Sequence, residues 1–154
     1  MNIAFFLTPK NKVVYEKPSS TMRQVLERME YHRYTAVPLV NETGNYVGTL
    51  TEGDLLWKIK NTPNLSFNDT SKILIGDIPR HICNTAVLIS SDIESLISLA
   101  KEQNFVPVVD DSNIFIGIIK RSDIITYCFN LLYDKNNIGT NDNNEIKGFK
   151  LIAT

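Results

Sequence analysis

The residues best suited to chemistry in this chain are Thr51 and Asp54, in the segment Gly48-Thr49-Leu50-Thr51-Glu52-Gly53-Asp54, and their counterparts Lys120 and Asp123 in Gly117-Ile118-Ile119-Lys120-Arg121-Ser122-Asp123. Each segment runs from a short apolar stretch into an amphipathic one, so each aspartate falls in the first turn of a helix. Free N–H groups and the helix dipole favour an anion there. Thr51 can donate its hydroxyl to a phosphate or sugar oxygen, whereas an ionised Asp54 only accepts hydrogen bonds and so suits the hydroxyls of a vicinal diol. Thr51-x-x-Asp54 also has the spacing of a helix N-cap. Lys120 cannot cap a helix, yet Asp123 keeps its register, so capping alone does not account for both aspartates. Arg80 and Arg121 add cations able to neutralise phosphate.

The elements that position these residues occur twice. Ala36-Val37-Pro38-Leu39-Val40-Asn41 is echoed by Phe105-Val106-Pro107-Val108-Val109-Asp110, and Tyr46-Val47-Gly48 by Phe115-Ile116-Gly117, both at the 69-residue offset that carries Asp54 onto Asp123. Upstream the offset becomes 71, with Met22, Val25, Leu26 and Met29 falling on Ile93, Leu96, Ile97 and Ala100. Both sets follow the i, i+3, i+4, i+7 spacing of a buried helix face. Thr21 with Gln24 and Ser91 with Glu94 have capping-box spacing, which predicts that the helices start there. Hairpins follow at Ala36 to Val40 with Tyr46 to Leu50, and at Val106 to Val109 with Phe115 to Ile119. With leading strands around Lys12 to Tyr15 and His81 to Asn84, each half reads strand, helix, strand, strand, helix, an α/β (α+β) unit. The first unit spans 1–60 and the second 72–133. A polar connection, 61–71, joins them, and an Asn/Asp-rich tail, 134–154, follows. The tail is expected to be mobile, with Phe149, Leu151 and Ile152 able to dock on the body.

Composition removes several classes of function. The 154 residues are 43% hydrophobic and 21% charged, and 16 Lys and Arg against 17 Asp and Glu give a net charge of -1. Such a chain is neither disordered nor collagen-like, and it carries no bulk field for nucleic acid or an anionic membrane. Ile3 to Leu7 lacks the basic lead of a signal peptide. No run approaches the ~18 apolar residues of a membrane span. Cys83 and Cys128 form no CxxC pair, and His32 and His81 have no metal-ligand spacing. A reduced, cytoplasmic setting is the default expectation. Serine-hydrolase, P-loop, dinucleotide-binding and zinc-protease motifs are all missing, so the expectation is a protein that is not an enzyme.

The duplicated pattern of helix, V-P-x-V or its echo, turn, x-Gly, then Asp opening an apolar helix resembles a tandem pair of cystathionine-β-synthase (CBS) domains, the Bateman module. The resemblance covers about Ile3 to Leu132 and implies two units related by pseudo-two-fold symmetry. The chain is also similar to small free-standing bacterial CBS proteins, some of which bind cyclic di-AMP. The resemblance implies a regulatory module that binds AMP, ADP, ATP or cyclic di-AMP in clefts between the units and transmits occupancy to a partner protein, with no further cofactor. One cleft is expected to combine Thr51 and Asp54 with walls from Val14, Tyr15, Tyr34, Thr35, Ala36, Val37 and Pro38. The other would combine Lys120 and Asp123 with Cys83, Asn104, Phe105, Val106 and Pro107; Arg80 and Arg121 could neutralise phosphates in either cleft, and the Lys120 substitution predicts unequal sites. A dimeric scaffold that responds to no nucleotide is the alternative.

Two apolar arcs point to a homodimer. Leu55, Leu56, Trp57 and Ile59, and in the second copy Ile124, Ile125, Tyr127, Cys128, Leu131 and Leu132, spread too widely around their helices for one buried face. In the CBS family such helices resemble one another in packing against a second module.

Overall fold

A computed structural model describes residues 1–137, with helices and strands in the duplicated order. A short N-terminal strand, β1 (Thr8–Pro9), precedes both copies. The first unit contains α1 (Met22–His32), the hairpin of β2 (Ala36–Val40) and β3 (Tyr46–Thr51), and α2 (Glu52–Asn61). The second contains β4 (Val87–Leu88), α3 (Ile93–Ala100), β5 (Phe105–Val109), β6 (Phe115–Lys120) and α4 (Arg121–Asn137). Strand β1 pairs antiparallel with β6, while β4 pairs parallel with β5.

Both hairpins follow the repeat, including matching register irregularities at Leu39/Val40 and Val108/Val109. The capping box at Thr21 and Gln24 is present, with bonds of 2.9 and 3.2 Å. In the second unit Asp92, not Ser91, caps the helix, its carboxylate accepting from Ser95 N–H at 2.8 Å. Asp92 is the residue that the 71-residue offset places opposite Thr21. The leading strands also differ from expectation. Lys10–Lys12 is a 3-10 turn, and the parallel pairing falls later, as a single Glu16–Leu39 bridge and as β4. At the far end α4 runs on to Asn137, into the segment read as tail. The expected mobility of the tail and the docking of Phe149, Leu151 and Ile152 concern residues outside those described.

Strand alternation sends every second side chain inward. Val37, Leu39 and Leu50 thus meet Met22, Val25, Met29 and Leu55 in one core, and Val106, Val108 and Ile119 meet Leu96, Ala100 and Ile124 in the other. Packing does not respect the order of the sequence copies. Ile75 and Ile78 fill the first core, whereas Ile3, with Phe6 and Leu7 against it, fills the second. The segment before each unit is therefore built into the other one. Among the described residues no helix is long and apolar enough to cross a membrane, and no cluster of His, Cys, Asp and Glu is suited to a metal.

One inward position in the first unit is charged. Glu16 stands where the second unit has Val87, is 1% exposed, accepts from Ser20 Oγ at 3.0 Å and lies 2.9 Å from Arg28 Nη1, an ion pair without a directed hydrogen bond at Oε1. Burial raises the Glu16 pKa above its ordinary 4.5, outweighing Arg28 and Ser20, which lower it. A carboxyl with a raised folded pKa contributes stability that is complete below the unfolded pKa and is lost as pH rises through the folded one. Glu16→Gln, neutral throughout, is expected to gain stability relative to wild type between pH 4.5 and 7 in urea denaturation. Parallel pH profiles for the two proteins would contradict this.

Candidate functional site

The strand-to-helix turn of each unit is pinned to the start of the preceding hairpin strand. Glu52 N–H donates to the Thr35 carbonyl at 2.9 Å, and Arg121 N–H to the Asn104 carbonyl at 3.0 Å. These bonds hold residues 120–123 beside residues 104 and 105. The N-terminal segment brings first-unit residues to the same place, because Thr8 pairs with Ile118.

The result is a cleft of about 320 Å³. Its apolar walls are Val13, Val14, Ala36, Pro38, Phe105 and Ile118, and Tyr34 stands at it with its ring stacked on His32 at 5.2 Å and 12°. Thr8, Thr35, Asn104 and Ser122 supply hydrogen-bonding groups, and Lys12, Arg33 and Lys120 supply three cations. No carboxylate among the described residues lines it. Arg33 takes a left-handed conformation (φ 57°) as the cap that ends α1, which turns the chain toward β2. Such a volume suits a ligand of nucleotide size, and the uncompensated cations suit an anion.

This cleft joins wall residues expected for one site with the Lys120 motif expected for the other. Val14, Tyr34, Thr35, Ala36, Pro38, Asn104, Phe105 and Lys120 come together there. Val37 and Val106 do not, since strand alternation turns them into the cores. Tyr15 instead packs on Phe115 at 6.0 Å, under Lys10. Pro107 pairs with Ile118 across the second hairpin and is not part of the cleft lining. Arg121 donates from Nη2 to Asn104 Oδ1 and borders an apolar groove between α3 and α4. Asp123 is exposed, with no hydrogen-bond partner among the described residues. Thr8, Lys12, Arg33 and Ser122 are additions to the expected set. They reach the cleft through the crossing N-terminal segment, the cap of α1 and the first turn of α4, contacts that no local pattern announces.

Thr51 and Asp54 are spent on each other. Asp54 Oδ2 accepts from Thr51 N–H and Thr51 Oγ1, both at 2.9 Å, while Thr51 Oγ1 accepts from Asp54 N–H at 3.2 Å. Asp54 Oδ1 accepts from His81 N–H at 3.0 Å, and the residue is 3% exposed. In this arrangement the carboxylate completes the capping box of α2, whose N-cap is Thr51, and tethers the crossing segment. Nearby, Gln103 is buried and bonded to both Thr85 N–H and the Thr85 carbonyl, at 3.0 and 3.1 Å. Arg80 and Cys83 line a separate cavity with Tyr46. Burial pushes the Tyr46 phenol up to about 12, and it donates to the Asn84 carbonyl at 3.0 Å.

Two interlocked copies of one helix-and-hairpin unit, with a cationic cleft built by both, define a tandem-domain module. The chain belongs to the CBS domain family, whose model matches residues 7–61 and 75–130. It is similar to the chloroplastic CBS domain-containing proteins CBSX2 and CBSX1 of Arabidopsis thaliana, each 25% identical over 78% of this chain. The chain spans about three fifths of the length of these relatives, 60% and 61%. Among solved structures it is similar to CbpB in complex with c-di-AMP (TM-score 0.75, 21% identity, 90% of this chain and 91% of that one). A CBS domain protein from Streptococcus pneumoniae TIGR4 has a TM-score of 0.75 and 26% identity over 85% of this chain and 88% of that one. CBSX2 in complex with AMP has a TM-score of 0.66 and 23% identity over 84% and 97%.

Proposed function

We propose that this chain is a non-catalytic regulatory module that binds an adenine nucleotide, cyclic di-AMP or a linear one, in the Lys120 cleft and signals its occupancy to a partner protein. The observation that carries the reading is the pairing of apolar walls, suited to a base, with Lys12, Arg33 and Lys120 and no opposing carboxylate among the described residues. CbpB with c-di-AMP and CBSX2 with AMP are relatives of the same fold, which supports an adenine ligand. Three cations favour a ligand with more than one phosphate. Leu56, Trp57 and Ile59 on α2, and Ile125, Phe129 and Leu132 on α4, are exposed, which supports a homodimer closed over these helices. We assign the module to the cytoplasm and give it no nucleic-acid or membrane role.

The reading is tested by calorimetric titration with adenosine, AMP, ADP, ATP and cyclic di-AMP at low and physiological salt. The phosphorylated ligands are expected to bind more tightly than adenosine and to weaken with salt, since exposed charges are screened beyond about 8–10 Å. Lys120→Ala, which removes a charged hydrogen bond, is expected to weaken binding by roughly 10-fold or more. No binding by any of them would leave the dimeric scaffold. Equal affinity for adenosine and the phosphorylated ligands, indifferent to Lys120→Ala, would remove the cations from the site.

A further inference from the structure

A cavity of about 850 Å³ lies away from the Lys120 cleft, against β3 and the segment that leads into β4. It is not the counterpart of that cleft under the internal repeat. The repeat carries Tyr34, Thr35, Ala36 and Lys120 onto Gln103, Asn104, Phe105 and Thr51, none of which lines the cavity. The overlap with that counterpart is confined to Thr49, Pro79 and residues 83–85.

A difference between the two copies opens it. Across the pseudo-two-fold, Tyr46 and Phe115 are equivalent and meet with ring centroids 6.4 Å apart at 26°. On the far side of Phe115 the ring of Tyr15 packs at 6.0 Å, with the Lys10 ammonium 5.2 Å from the Tyr15 centroid. The row should therefore continue on the far side of Tyr46, where the 71-residue offset places the counterpart of Tyr15. That counterpart is Ala86. Three aromatic rings stand in a row, and the fourth place carries only a methyl group, beside an open cavity lined by both Tyr46 and Ala86.

The wall is chemically defined. Tyr46 is held in place by its bond to the Asn84 carbonyl and by a 2.8 Å bond to Thr49 Oγ1. Arg80 crosses Gly48 closely, its Nε 2.8 Å from where a Cβ would stand, so its guanidinium is carried along the cavity edge. Among the described residues no carboxylate lies within ion-pair distance of Arg80. Asp77 also lines the cavity, so the site can in principle meet either sign of charge. The guanidinium decides the sign, because it lies over β3 at Gly48, next to the Tyr46 end of the cavity, whereas Asp77, exposed like Arg80, stands on the preceding 3-10 turn.

We propose that this cavity is a second ligand site, taking a planar aromatic ring into the place left by Ala86, beside Tyr46, with an anionic substituent directed to Arg80. The offset stacking of aromatic rings supplies the first contact, and a charge-assisted pair with a planar guanidinium the second. The class of ligand is an aromatic acid, or the aromatic and anionic end of a larger molecule, since the volume exceeds that of one substituted ring.

The test uses the whole chain and three probes that share one ring: 4-hydroxyphenylacetate (anion), p-cresol (neutral) and tyramine (cation). Binding is followed by amide shifts in ¹H–¹⁵N spectra. The expected result is saturable shifts confined to residues 46–49 and 80–88, with 4-hydroxyphenylacetate the tightest and tyramine the weakest. Arg80→Gln, at an exposed position that leaves the fold intact, should weaken 4-hydroxyphenylacetate roughly 10-fold and leave p-cresol unchanged. Ala86→Tyr should rebuild the fourth ring, abolish binding of all three probes and raise Tm by about 2–4 °C or more. Lys120→Ala should change none of this. Tighter binding of tyramine than of 4-hydroxyphenylacetate would overturn the assignment of the anion to Arg80. Probe binding that survives Ala86→Tyr, or shifts elsewhere in the spectrum, would overturn the site itself. If Ala86→Tyr does not fold, the absence of p-cresol shifts at residues 46–49 in wild type would overturn the site equally.

Discussion

Gly117→Ala is expected to lower Tm by about 6–12 °C, the shift that a loss of ~3 kcal/mol produces in a chain of this size. A Cβ at Gly117 would stand 2.2 Å from the Thr8 carbonyl oxygen, 2.9 Å from Leu7 Cδ1 and 3.1 Å from Pro9 Cα. Two of those atoms are backbone, so relief requires β1 to leave β6. That movement would also pull Leu7 and Ile3 from the second core and Thr8 from the wall of the Lys120 cleft. Gly48 is the same residue in the other copy, with φ at 150° against 156°, but its nearest neighbour is the flexible Arg80 side chain. Gly48→Ala should therefore cost no more than about 1 kcal/mol beyond the backbone preference for glycine. Urea or thermal denaturation of the two variants side by side checks the pair. A Gly117→Ala protein that melts within 2–3 °C of wild type, roughly what ~1 kcal/mol gives, would show that the crossing segment yields cheaply.

That pair of glycines also marks the boundary of what is legible in the sequence. The repeat at offsets of 69 and 71 locates both hairpins, both first helices and the helix-opening aspartates, because helix periodicity and strand alternation are local and are written twice. The exchange of leading segments is not legible. Ile3 and Leu7 are apolar, but nothing in their spacing says which of two similar cores they enter. For the same reason the sequence divides the cleft wrongly between the copies, setting the right wall residues against the wrong helix turn. Lys12 and Arg33 escape notice because a lysine in a turn and an arginine after a helix are ordinarily solvated surface. Ser91 looks like the cap because Ser-x-x-Glu is a stronger signal than Asp-x-x-Ser, although the repeat offset points one residue further on. A lone glutamate two residues before a proline reads as surface, and only the parallel bridge to Leu39 turns Glu16 inward.

Asp54 is the residue on which sequence and structure part most sharply, and its replacement separates the two roles. The carboxylate takes three hydrogen bonds, two from Thr51 and one from His81 N–H, in a site that is 3% exposed. Asp54→Ala removes all three, and with them the carboxylate half of the α2 capping box, while Thr51 Oγ1 still accepts from the N–H of residue 54. Hydrogen bonds to a charged group contribute about 1.5–3 kcal/mol each, and these are not additive within one cluster. The expected cost is about 3 kcal/mol, a fall in Tm of roughly 6–12 °C. Asp123→Ala, at an exposed position without such bonds, should stay within about 0.5 kcal/mol of wild type. Because Asp54 does not line the Lys120 cleft, the Asp54→Ala protein that remains folded at 15 °C should bind adenine nucleotides with unchanged affinity. A variant that keeps its Tm and loses nucleotide binding would instead make Asp54 a ligand group, freed from Thr51 and His81 when the nucleotide enters. The conservative Asp54→Asn sharpens the comparison. Its amide can still accept from Thr51, but a donor NH₂ then faces the His81 N–H, so most of the tether to the crossing segment is lost while most of the cap survives. If stability falls nearly as far in Asp54→Asn as in Asp54→Ala, the tether to His81, rather than the helix cap, is what this aspartate contributes to holding the two interlocked units together.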